Sequence, residues 1–276
     1  MKGRLGFADI KGNGDFQQLA AYSIEQNLNL VQVSLDNPRF FPEKFDSRQR
    51  ETIKALYADH GVALCFHGPT DIPMMNRHEK IRLAGLDRLG EMIQMAIDMG
   101  GEYFVFHPGR LAFYSMSKQQ VFFMEQRYPE RVTEIFADSI KRLLSCSGDK
   151  IKLCIENTHS VSGAILKTVS RLASENGLSL VWDMGHTEQL DDARKRQLLT
   201  FFTENLKHVK LAHLHDVVGD ADHKALGSGR LNVSSYLEII NTLGIDVILE
   251  IFPEKDLLKS LAYLTELQVS GKVNRG

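Results

Sequence analysis

Six metal-capable residues stand at the ends of short apolar runs in this chain, in order along it. His67 follows Val62–Phe66, His107 follows Tyr103–Phe106, Glu156 follows Ile151–Ile155 and Asp183 follows Leu178–Trp182. His213 closes the run Val209–Leu214, and Glu250 closes Val247–Ile251, while His186 stands three residues beyond Asp183. Mixed imidazole and carboxylate suit Zn, Mn, Co or Fe, whereas an all-oxygen set suits Ca or Mg. Carboxylates gathered at an apolar strand end are costly unless a positive charge neutralises them, and a bound cation does so directly. Alone, each residue has a simpler reading: a satisfied polar histidine, a turn cap, a partner for lysine. The ordered set is what points to a metal centre.

Two further apolar runs, Leu5–Ala8 and Leu30–Leu35, bring the total to eight. Between the runs lie helical patterns. In one, Ile81, Leu86, Leu89, Ile93 and Ile97 recur at mostly three- and four-residue steps, and Gly100-Gly101 stops the helix. Another runs from Ser162 to Glu175 and ends at Asn176-Gly177. Near-continuous apolar strands alternating with amphipathic helices imply a parallel sheet covered by helices. Eight such units predict a single (β/α)8 TIM barrel over residues 1–276, in which all the strand ends named above share one face. A doubly wound sheet ordinarily carries a Gly-rich phosphate loop after its first strand. Here Asp9-Ile10-Lys11-Gly12-Asn13-Gly14-Asp15 lacks the third glycine, position 17 being Gln, and reads as an ordinary strand-to-helix turn.

With 33 Lys+Arg against 35 Asp+Glu, the formal charge of −2 provides no global basic field for nucleic acid or an anionic membrane. Cys65, Cys146 and Cys154 have no C-x-x-C spacing and read as buried thiols in a reducing compartment. Neither a signal-peptide pattern nor a membrane-length apolar window is found, so a cytoplasmic location is expected. The segment Gly109–Tyr128, rich in aromatic and Met residues (Phe113, Tyr114, Met116, Phe122, Phe123, Met124), has two readings: a lid over the site, or a contact between copies in an oligomer. His60, His78 and His208 read as structural; His159 and His215 lie near the mouth and stay open.

The motif order resembles the xylose-isomerase-like barrel superfamily, which includes sugar-phosphate isomerases and epimerases and the endonuclease IV repair enzymes. The resemblance rests on His67-Gly68-Pro69, His107-Pro108-Gly109, Glu156-Asn157, Asp183-x-x-His186, His213-Leu214-His215-Asp216 leading to His223, Leu226-Gly227-Ser228-Gly229, and Glu250. In the isomerase branch it implies Glu156, Asp183, His213 and Glu250 around one Mn²⁺-like ion. Glu156 and Glu250 would move a proton through an enediolate, with His186, Asn157 and His223 on the substrate. In the endonuclease branch it implies three zinc ions, held by the same residues with His67, His107, His186 and His223. This sequence departs there: Ala221 stands where the family has an aspartate, and Asp220 and Asp222 are displaced. Thr70-Asp71-Ile72-Pro73 has no aromatic wedge for DNA, and Arg39 reads equally as a DNA contact or a solvated loop residue. The expectation is therefore a divalent-metal enzyme (Mn, Zn or Co, one or two ions rather than three) that isomerises or epimerises a carbohydrate-like substrate. Abasic-site DNA is the alternative substrate, and a coordinatively closed, non-enzymatic metal site is the remaining class.

Overall fold

Eight parallel strands close into a barrel in the computed structural model, which describes residues 2–9, 14–109, 111, 113–116, 119–158 and 162–269. They are β1 Leu5–Asp9, β2 Leu30–Ser34, β3 Ala63–His67, β4 Tyr103–Phe106, β5 Lys152–Glu156, β6 Ser179–Asp183, β7 Val209–Leu214 and β8 Asp246–Leu249. Each strand pairs with its sequence neighbours, and β8 closes on β1 with Leu5 beside Val247. The eight main helices are α1 Phe16–Glu25, α2 Ser47–Asp59, α3 Glu79–Asp98, α4 Pro129–Ser147, α5 Gly163–Asn176, α6 Asp192–Glu204, α7 Val233–Leu243 and α8 Glu254–Val269.

The strands are apolar on both faces because both are buried. Leu30, Cys65, Tyr103, Val105, Cys154, Val181, Leu211 and Ile248 pack inside the barrel. Val31, Val33, Leu64, Phe66, Phe104, Leu153, Leu180 and Leu249 belong to the larger core beneath the helices. Helix ends carry the expected chemistry. Asp15 and Asp46 form capping boxes with Gln18 and Gln49, and Gly177 and Gly244 end α5 and α7 in the left-handed region. The turn at residues 10–13, read above as ordinary, lies outside the described residues.

Two packing details differ from the sequence reading. Ile81 is exposed, and the buried stripe of α3 begins at Arg82, whose guanidinium bonds Asp138 at 2.7 Å and Ser139 at 2.9 Å. A paired arginine can thus occupy a position that apolar periodicity gives to its neighbour. Cys65 and Cys154 are buried in strands as expected, but Cys146 is exposed on α4.

Candidate metal centre

At the C-terminal mouth of the barrel, Glu156, Asp183, His213 and Glu250 bring one donor atom each within 4.8 Å of all the others. All four side chains are buried. His213 Nδ1 lies 3.2 Å from Glu156 Oε2, 3.3 Å from Glu250 Oε1 and 3.9 Å from Asp183 Oδ2. Ligands about 2.1 Å from a tetrahedral ion sit roughly 3.4 Å from one another, so these spacings suit donors around a common cation. His213 Nδ1 and Glu156 Oε1 are buried and make no hydrogen bond. A buried nitrogen or carboxylate oxygen without a partner is costly, and a metal ion is what these two atoms fit. One imidazole and three carboxylates suit Mn, Zn, Co or Fe better than Ca or Mg.

Three of the four donors are held by neighbouring side chains. Asp183 caps the short helix Met184–Gln189 by accepting the His186 backbone N–H at 2.6 Å. The Asn157 carboxamide is spent on the backbone of the same residue, accepting from Asp183 N at 2.8 Å and donating to its carbonyl at 2.9 Å. His215, left open in the sequence, is fully buried. Its Nδ1 accepts the His223 backbone N–H at 3.0 Å, so its proton sits on Nε2, which faces both oxygens of Asp183 at 3.1 and 3.2 Å. Gln32, which sequence reasoning passed over, bonds Glu250 and His213 from β2. Its signal was present: one amide inside the apolar run Leu30–Leu35.

Two further donor groups adjoin this one. His67, His107 and Glu156 form a group in which Glu156 Oε2 lies 3.2 Å from His67 Nε2 and 3.4 Å from His107 Nε2, so Glu156 is common to two groups. His186, His215 and His223 form another. Both ring nitrogens of His215 are engaged as described, and His223 stacks on it at 4.3 Å. His223 Nδ1 lies 3.0 Å from Asp222 Oδ1, and His186 Nε2 lies 4.0 Å from Asp222 Oδ2. Asp222, displaced in sequence, therefore reaches this group. His60, His78 and His208 stand at helix ends, away from it; His159 lies outside the described residues.

Charge is balanced between imidazoles and carboxylates. Burial works to raise the Glu156 carboxyl, but charge on His213 and His107 holds it well below its usual range. Glu250, opposed in the same way by burial, is pulled down to about 2, chiefly by His213 and His223. Asp183 is lowered by His186 and His215 against its burial. Conversely, burial disfavours charge on the histidines, yet Asp183 and Glu156 raise His186 to about 10. Glu250 and Glu156 raise His213 to about 9, and Glu250 and Asp222 raise His223 to about 9.

The loop Leu226–Gly229 is architectural. Asp216, fully buried, accepts backbone N–H groups from Val217 at 2.8 Å, Gly229 at 2.8 Å and Leu231 at 3.0 Å. A Cβ on Gly229 would stand 2.1 Å from the Val217 carbonyl oxygen, so only glycine fits there. Of the segment 109–128, residues 110, 112, 117 and 118 lie outside the described set. The rest forms a hairpin pairing Tyr114 with Val121, then a short helix, Phe123–Arg127. Leu111, Phe113 and Met124 line a cavity of about 460 Å³ with Met75, Val132 and Ile135, while Tyr114, Phe123 and Tyr128 are exposed. Thr70 bonds Asp36 through its backbone N–H at 3.0 Å, and Arg39 is exposed.

A match to the family described as "Xylose isomerase-like TIM barrel" spans residues 22–267. The chain belongs to that family. A curated relative, "Uncharacterized protein MJ1311" from Methanocaldococcus jannaschii, is 23% identical over 224 residues, covering 74% of this chain and 70% of the relative. Among solved structures, a D-tagatose 3-epimerase-like protein superposes with TM-score 0.74 at 18% identity, covering 95% of this chain and 96% of that one. Endonuclease IV from Thermus thermophilus superposes with TM-score 0.67 at 19% identity, covering 95% and 99%. At these identities the likeness establishes the shared barrel. Among the described residues, no helix is long and apolar enough to cross a membrane.

Proposed function

We propose that this xylose isomerase-like barrel is a divalent-metal-dependent isomerase or epimerase acting on a sugar, sugar phosphate or small polyol-type keto compound. The observation that carries the reading is the placement of two buried carboxylates, Glu156 and Glu250, 3.2 and 3.3 Å either side of the hydrogen-bond-free His213 Nδ1. They come from β5 and from the residue after β8, three strands apart in the ring. Glu156, Asp183, His213 and Glu250 would hold an Mn, Zn or Co ion. When bound, the ion polarises a substrate carbonyl and makes the neighbouring C–H acidic.

The chain's own residues do the rest. One of Glu156 and Glu250 takes the proton from the carbon beside the carbonyl, giving an enediolate, and the other returns a proton to the opposite face. His186, 3.4 Å from Glu156, and His223, 3.5 Å from Glu250, would hold substrate hydroxyls. Asn157, expected on the substrate, is better suited to fixing Asp183, because its amide already bonds that residue's backbone on both sides. The epimerase-like structural neighbour is consistent with a carbohydrate substrate.

A second reading has its own observation. The sharing of Glu156 between two donor groups would suit a second ion, and paired ions suit phosphodiester hydrolysis, as in an endonuclease IV-like enzyme on abasic-site DNA. Protein loaded with Mn²⁺, Co²⁺ or Zn²⁺ is to be incubated with a ketose panel in deuterated water and, separately, with an abasic duplex. Deuterium at the carbon next to the carbonyl, without incision, is expected. Incision without exchange would reverse the order of the two readings.

A further inference from the structure

The Gln32 side chain is buried inside the barrel, where an amide is tolerated only if its hydrogen bonds are made. Three are. Its Nε2 donates to Glu250 Oε1, its Oε1 faces His213 Nε2 at 2.9 Å, and the Cys65 thiol donates to the same oxygen at 3.4 Å. The orientation of this amide is dictated by chemistry. An ionised Glu250 only accepts, so the NH₂ end of Gln32 must face it and the carbonyl end must face His213. A carbonyl only accepts, so His213 must carry a proton on Nε2. In the neutral ring Nδ1 then keeps a lone pair, and Nδ1 is the atom that lies among Glu156, Asp183 and Glu250 without a hydrogen bond.

The backbone shows how the contact arises. Gln32 pairs in register with Ala8 on β1, which stands between β2 and β8 in the ring. Ala8 packs on the same inner layer as Leu30.

We propose that Gln32 is the positioning residue of the centre: it selects Nδ1 of His213 as the metal ligand and aims the Glu250 carboxylate. The proposal rests on the metal-centre reading above but not on the identity of the substrate. Partners behind a metal ligand that fix its tautomer and direction typically alter affinity by about 10- to 100-fold when removed.

The test is metal binding itself. Chelator-stripped wild type, Gln32→Leu and Gln32→Glu are titrated with Co²⁺, following the visible absorption band, with circular dichroism as the check on folding. Gln32→Leu removes all three bonds and should bind Co²⁺ about 10- to 100-fold more weakly, with a shifted band. Gln32→Glu keeps an acceptor for His213 but sets a carboxylate against Glu250, and should weaken binding as well. A Gln32→Leu protein with wild-type affinity and spectrum overturns the proposal and leaves the metal centre standing. Wild type that takes up no Co²⁺ overturns both. A measurement without substitution guards against a variant that fails to fold. In zinc-loaded wild type labelled with ¹⁵N-histidine, His213 should show a protonated Nε2 and a metal-shifted Nδ1, and the reverse assignment overturns the proposal.

Discussion

Glu156 and Glu250 combine two demands that a single amide substitution separates from shape. On the proposed mechanism, Glu156→Gln or Glu250→Gln removes one negative charge facing the cation and one proton carrier, while keeping the side-chain volume. Turnover should fall by about 10²–10⁴-fold in either variant with an unchanged circular dichroism spectrum. Near wild-type turnover would remove that carboxylate from the chemistry. The histidines make a pH prediction with a definite sign. In metal-stripped protein His186 at about 10, and His213 and His223 at about 9, hold their protons at pH 7, and a cation has to displace the one on His213 Nδ1. Metal affinity should therefore climb from pH 6 to pH 9, with proton release at pH 7. Calorimetry in two buffers of different ionisation enthalpy measures that release, and equal heats in both buffers would refute it. The same raised values stabilise the stripped fold fully below about 6.5, and that contribution is lost as pH rises through 9 to 10.

Among the elements, the connection after β7 does the most to assemble the site. His213, inside β7, lies against Glu156, and His215, just past the strand end, reaches Asp183. Asp216 then gathers the amides of Val217, Gly229 and Leu231, which ties together the two ends of the loop bearing His223. Asp216→Ala strips these donors of their acceptor, at about 1–3 kcal/mol for each that stays buried and unpaired. Lower thermal stability together with weaker metal binding is expected, whereas Asp216→Ala unfolding at the wild-type temperature would show the loop to be held by something else. The sequence displayed the Leu226-Gly227-Ser228-Gly229 motif as a family resemblance, and the structure supplies a steric reason for Gly229.

At the scale of the molecule, the two ends of the barrel have different work. The end remote from the donors is tied by Arg4, which bonds Asp246 and Glu102 at 2.6–3.0 Å, with the Tyr103 hydroxyl on Asp246 at 2.8 Å. Asp246→Ala should cost roughly 1.5–3 kcal/mol through its charged hydrogen bonds, yet leave metal stoichiometry unchanged. Thermal unfolding and metal analysis of the variant check both halves, and loss of bound metal with normal stability would contradict the division. The metal should add stability by mass action, about 2.7 kcal/mol at a hundredfold excess over Kd, so a chelator should lower the unfolding temperature.

Eight strands and their ends could be read in the sequence because apolar runs of strand length, broken by helical periods, report burial on both faces, and that is a local signal. The donors His67, His107, Glu156, Asp183, His213 and Glu250 were visible for the same reason, since a polar residue closing an apolar run stands out. Pairings across the barrel left no such mark. Gln32 touches Glu250 over 218 positions of chain, which only closure of the ring brings together, and His215 reaches Asp183 over 32, through the pairing of β6 with β7. Asn157 lay beside a ligand in sequence and was read toward the substrate, but its amide turns to the next strand's backbone. Residue types and strand ends determined which groups could reach the mouth; three-dimensional packing decided which atoms of those groups remain free, because a hydrogen bond already made removes a lone pair that no motif records.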